Sequence, residues 1–70
     1  MVKKKEYYEN KYPVGTKVRL LSMNDPQSPP VGTIGEVMYV DDICTIHVKW
    51  ETGSSLGLVP GEDLFSVVKE

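Results

Sequence analysis

The chain has 70 residues, a net charge of −2, one cysteine (Cys44) and one histidine (His47). A chain this short forms one small domain, buries only about 60% of its unfolded surface and has no room for a deep catalytic cleft. One cysteine excludes an internal disulfide and one histidine excludes a Cys/His zinc site, so an apolar core has to carry the fold.

Residues 1–12 read as a basic arm, polar apart from Met1, Val2, Tyr7, Tyr8 and Tyr12. They allow a helical turn or two over residues 4–11, in which Tyr8 and Tyr12 lie four apart on one face. Such a helix is marginal in water unless that face docks on the rest of the domain; otherwise the segment is a frayed tail. Pro13 ends it, because the residue before a proline is pushed out of the α region. Lys3, Lys4 and Lys5 are followed by no apolar stretch of the kind a secretory signal needs, and no run is long enough for a membrane span. With a free cysteine, this favours a reducing, cytoplasmic setting.

Residues 13–70 read as the folded domain. Val14-Gly15 is a turn, and the first strand runs from Thr16 to Leu21, with Val18 and Leu20 inward and Lys17 and Arg19 outward. Ser22 to Pro30 holds three prolines and is neither strand nor helix. It is a long, stiff loop that presents Met23, Asn24 and Asp25. The second strand spans Thr33 to Val40. Its alternation is broken, and a bulge near Gly35 would bring Ile34, Val37 and Tyr39 to one face; a close backbone approach at Gly35 is the other reading.

Asp41-Asp42 is a tight turn, and the central strand follows with Cys44, Ile46, Val48 and Trp50 inward and Thr45, His47 and Lys49 outward. Glu51 to Ser54 turns the chain into a fourth strand ending at Val59. Pro60 to Asp63 redirects it, and Leu64 to Val68 is the fifth strand, with Phe65 and Val67 on one face. The expected fold is all-β, a small five-stranded SH3-like barrel preceded by a short tail or helical turn. An OB-type barrel needs a helix before its fourth strand, and the sequence has none there.

The charge is uneven. Residues 1–20 hold six basic side chains against two acidic ones, and residues 21–70 hold two against eight. The acidic body argues against a general phosphate-binding surface. An arm built on Lys3, Lys4, Lys5, Lys11, Lys17 and Arg19 is the nucleic-acid alternative, although a solvated terminus is the simpler reading of the first three lysines.

No catalytic constellation emerges, and the expectation is a non-enzyme without cofactor or metal. Cys44 and His47 lie an odd number of strand positions apart and face opposite ways. Asp25, Asp41 and Asp42 lack metal-loop spacing and are explained by turn chemistry. Trp50 fits core packing, with partial exposure as a groove platform the second reading. The candidate groove is Met23, Asn24, Asp25, Tyr39, Asp42 and Trp50, a surface for a protein partner beside the 22–30 loop.

The stretches YPVGTKVRLLSMNDP, SPPVGTIGEV, VDDICTIHVKW and GSSLGLVPGED, from Tyr12 to Asp63, resemble a family of small bacterial, phage or mobile-element proteins known only as a domain of unknown function. The resemblance implies an SH3-like barrel and no assigned activity. Glu51-Thr52 departs from the Asp-Asn usual in that pattern, which leaves Gly53 to take the left-handed position alone. Cys44 stands where glycine is common. Three roles remain in play: a protein-binding module, a nucleic-acid binder using the basic arm, and a homo-oligomeric accessory protein paired through strand edges.

Overall fold

The apolar and charged residues of β1 (Lys17–Ser22) alternate, and the strand follows that alternation: Val18 and Leu20 are buried while Lys17 and Arg19 face solvent. A computed structural model describes residues 4–69 of the chain. It contains the helix α1 (Lys4–Lys11) and the strands β1, β2 (Ile34–Val40), β3 (Ile46–Trp50) and β4 (Leu64–Val67). The strands form one antiparallel sheet in the order β3-β2-β1-β4. The architecture is a small all-β domain with one short helix.

The expected fourth strand before Val59 is not a strand of the sheet. Its trace is a single bridge, in which Leu58 and Ile46 exchange two backbone hydrogen bonds of 2.8 Å. Gly57 adds no side chain to pack beside the bridge, and Pro60, two residues after Leu58, has no N–H to give. The sheet therefore has four strands rather than five.

The core consists of Val18, Leu20, Val37, Val40, Ile46, Val48, Trp50 and Leu58, with Tyr8, Tyr12, Met23 and Phe65 packed against it. The helix forms because its tyrosine face docks. Tyr8 packs against the core, and Tyr12, just past the helix and donating its N–H to the Tyr8 carbonyl, meets Phe65 edge-on with centroids 5.1 Å apart, which gives an eight-residue helix the tertiary support it lacks in isolation.

Two corrections concern strand phase. The bulge of β2 lies at Met38, where Val37 pairs with Val48 and Tyr39 with His47. Gly35 stays in the ladder opposite Trp50, and Tyr39 faces solvent instead of joining Val37 in the core, where Val40 takes its place. Gly35 is the close-approach glycine. A Cβ there would lie 2.4 Å from Val48 Cγ1 and 2.6 Å from Trp50 Cε3. Cys44, expected inward on the central strand, lies before β3 begins and adopts φ 68° in the turn.

An internal repeat escaped the sequence reading. Pro13-Val14-Gly15-Thr16 and Pro30-Val31-Gly32-Thr33 are the same tetrapeptide, one before β1 and one before β2. Each Thr Oγ1 donates to its own Pro carbonyl at 2.6 Å, and the two glycines have φ of 93° and 94°. Each turn then prolongs the ladder to the other strand. Gly15 N–H donates to Val37 and Thr16 C=O accepts from it, while Gly32 and Thr33 do the same with Leu20. The two turns are thus related by a local two-fold operation of the β1–β2 pair.

Substituting Gly35→Ala forces Val48 and the Trp50 ring apart, and a loss of about 1–3 kcal/mol of stability is expected in urea denaturation. An unchanged midpoint would show that the indole does not need the space above Gly35.

Candidate functional site

The outer face of the β2–β3 hairpin is where side chains of chemical character collect. The turn that joins the strands is built by Asp41. Its Oδ1 accepts the N–H of Ile43 at 3.1 Å and of Thr45 at 2.9 Å, and its Oδ2 lies 2.8 Å from His47 Nε2. A carboxylate can only accept, so His47 Nε2 carries the proton and donates. These bonds, that to His47 first, hold the Asp41 carboxyl below its ordinary range. The His47 ring is stacked on Tyr39, its cross-strand partner, with centroids 4.3 Å apart and an interplanar angle of 9°. Tyr39 is still 55% exposed, so one face of an oriented aromatic pair is open to solvent.

The bulge sends Met38 to the surface beside this pair. Met38, Tyr39, His47, Val48, Lys49 and Ser55 line a shallow groove of about 430 Å³. Lys49 separates it from a second depression of about 320 Å³, which is crossed by the row Lys17, Glu36, Lys49. In that row Lys17 Nζ pairs with Glu36 Oε1 at 3.0 Å. The first depression is thus aromatic and thioether-lined, and in the second the charged row lies beside Ile34, Gly35 and Trp50.

The structure divides the groove expected from sequence. Trp50 is 1% exposed, and its Nε1–H donates to the Leu56 carbonyl at 2.8 Å, so it is a core residue. Met23 packs against the core, while Asn24 and Asp25 are exposed on the loop, where Asp25 Oδ1 caps the Gln27 N–H at 2.7 Å. That loop leads into the Ile34 end of β2. Tyr39 and Asp42 belong to the opposite end, roughly 17 Å away at the rise of a strand. Tyr39 and the turn of Asp42 come together; the loop residues do not join them. Met38, Lys49 and Ser55 were missed, and the broken alternation of β2 was the signal that could have found Met38.

The basic residues are also apportioned. Lys5 Nζ pairs with Asp42 Oδ1 at 3.0 Å, and this hydrogen bond raises the Lys5 pKa. Lys11 lies 3.4 Å from the Tyr7 hydroxyl and within 5.7 Å of the Tyr7 and Tyr12 ring centres; the bond to Tyr7 raises its pKa. Lys17 serves Glu36, and Lys4 and Arg19 are exposed. Lys3 lies outside the described residues. Among the described residues, no three His, Cys, Asp or Glu side chains are placed to hold a metal ion, and no helix is long and apolar enough to cross a membrane.

Residues 3–68 match the model of a family described as a domain of unknown function, DUF4314. No curated protein and no solved structure matches the chain.

Two predictions follow from the Asp41 turn. Asp41 titrates below its unfolded value, so its contribution to stability is complete above the ordinary carboxylate pKa of about 3.9 and is lost as pH falls through the lower folded value. Thermal melts from neutral pH to strong acid will show this loss in the native chain, and Asp41→Asn will remove that part of the profile. Cys44, at φ 68°, should behave oppositely towards two replacements. Cys44→Gly relieves the left-handed backbone and stabilises by up to about 1 kcal/mol, whereas β-branched Cys44→Val destabilises by about 1–2 kcal/mol. Urea midpoints shifted in the same direction by both replacements would contradict the turn geometry.

Proposed function

The chain belongs to the DUF4314 family, and we propose that it acts as a non-catalytic binding module for a protein partner. The observation that carries this reading is the exposed Tyr39 ring, held flat on His47, whose Nε2 is anchored in turn by Asp41. A solvent-facing aromatic with its orientation already fixed gives up little freedom on binding. Beside it, Met38 is a flexible thioether that adapts to an apolar side chain, and Lys49 supplies a positive charge at the rim. The groove suits an extended segment with one apolar or aromatic anchor and an acidic residue close to it.

The arrangement also supports the finer reading of the fold as a partly open SH3-like barrel. In that reading Leu58 stands where a fourth strand would extend the order β3-β2-β1-β4 beyond β3. Binding through aromatic-lined grooves is a common use of such small barrels. A nucleic-acid role is the weaker alternative, because Lys5 and Lys17 are each matched by a carboxylate, and counterion release needs cations available to phosphate.

The test uses an extended peptide selected from a random library against the whole protein, titrated while backbone amide signals are followed. Shifts are expected to centre on Met38, Tyr39, His47, Lys49 and Ser55. Tyr39→Ala should weaken the selected peptide by about tenfold or more while the protein stays folded, with only the small fall in melting temperature that loss of the His47 stack brings. Shifts centred on α1, or full affinity in Tyr39→Ala, would count against the groove.

A further inference from the structure

The edge of β3 that faces away from β2 has a break in its hydrogen bonding at Val48. In an antiparallel ladder alternate residues direct both main-chain groups to the same side. Glu51 N–H donates to the Ile34 carbonyl on β2, so Ile46, Val48 and Trp50 direct theirs away from β2. Ile46 exchanges two bonds with Leu58, and Trp50 bonds Ser54 and Gly53. The Ile46–Leu58 and Trp50–Ser54 meetings share one register, in which Leu56 stands opposite Val48.

Leu56 does not pair there, because its own groups are used elsewhere. Its carbonyl accepts the Trp50 indole N–H at 2.8 Å, and its N–H donates to Ser54 Oγ at 3.3 Å. The Val48 N–H and C=O are left without a hydrogen-bond partner among the described residues. Val48 is 2% exposed, and main-chain groups covered to that degree are costly to leave unpaired. Val48 nonetheless lines the groove with Tyr39, His47 and Ser55. Its side chain belongs to the core, so what it presents to the groove is main chain.

Building on the groove as a peptide site, we propose that the partner segment carries an Asn or Gln whose carboxamide accepts from the Val48 N–H and donates to the Val48 C=O. The N–H and C=O of an extended residue lie side by side, and a carboxamide holds an acceptor and a donor side by side in one plane. A carboxylate only accepts and an ammonium only donates, so each would leave one Val48 group buried and unpaired. A hydroxyl has to serve both groups with a single oxygen. A partner's main chain does not fit, because Leu58 at Ile46 and Ser54 at Trp50 close the edge on either side of Val48. Only the end of a side chain, reaching in from the groove beside Tyr39, meets the Val48 pair.

The test uses peptides selected from a random library against the full chain, with each Gln replaced in turn by Met and each Asn by Leu. One replacement is expected to weaken binding by about tenfold or more while the signals of Tyr39 and His47 still shift. With the parent peptide the Val48 amide proton is expected to move downfield. A scalar coupling across the hydrogen bond should link the Val48 amide nitrogen to the isotope-labelled carboxamide carbon. Peptides that shift Tyr39 and His47 but need no carboxamide, or that give no such coupling at Val48, overturn the carboxamide assignment and leave the groove as a peptide site. If no selected peptide shifts Tyr39 and His47, both readings fall.

Discussion

The indole of Trp50 and the missing side chain of Gly35 are two halves of one constraint. Trp50 and Gly35 are paired across β2 and β3, and the ring occupies the space that a Cβ on Gly35 would need. The same ring donates its N–H to the Leu56 carbonyl, while the Trp50 backbone N–H donates to Ser54. One residue thus closes the β2–β3 pair from the inside and tethers the segment that follows β3. Leu58 is brought to Ile46 by that tether, which completes the core with a single bridge where a strand was anticipated. A large ring that must also satisfy a polar N–H can do both only at a site with this geometry.

Around that centre the sheet is framed by local turn chemistry. The repeated Pro-Val-Gly-Thr turns use a positive-φ glycine and a threonine hydroxyl bonded back to a proline carbonyl, and both feed the β1–β2 ladder. The β2–β3 connection uses a different device. Asp41 accepts from two backbone N–H groups and from His47, and Cys44 supplies the left-handed residue that glycine would adopt without strain. A glycine at position 44 would take that conformation without the strain a Cβ brings. After β3, Gly53 takes the left-handed position alone, with φ 92°, and Thr52 does not share the positive region.

Tyr39 shows how a packing irregularity creates a surface. The extra residue at Met38 reverses the facing of everything beyond it, so Val40 enters the core and Tyr39 leaves it. Tyr39 then meets His47, and the ring pair inherits its rigidity from the turn carboxylate. The line from carboxylate to imidazole to phenol supports an exposed ring. The charge pairs outside this line are exposed, and exposed pairs add little to stability. Their consequence is local neutrality on a chain whose first twenty residues are basic.

Sequence alone determined the elements whose information is local. Alternation marked β1, β3 and their buried residues, proline density marked the 22–30 loop, and the four-residue spacing of Tyr8 and Tyr12 marked a helix that needed a docking surface. The side of the sheet to which Ile46, Val48 and Trp50 belong also follows from period-two geometry. Tertiary structure decided the rest, because it depends on what lies across the ladder. Whether Gly35 bulges or packs is set by the Trp50 ring opposite. Where the bulge falls, and hence which face Tyr39 takes, is set by the register with His47. The fate of residues 54–59 is set by how far the Trp50 tether lets Leu58 pair. A broken alternation announces that a strand changes phase; only the partner strand decides at which residue it does so.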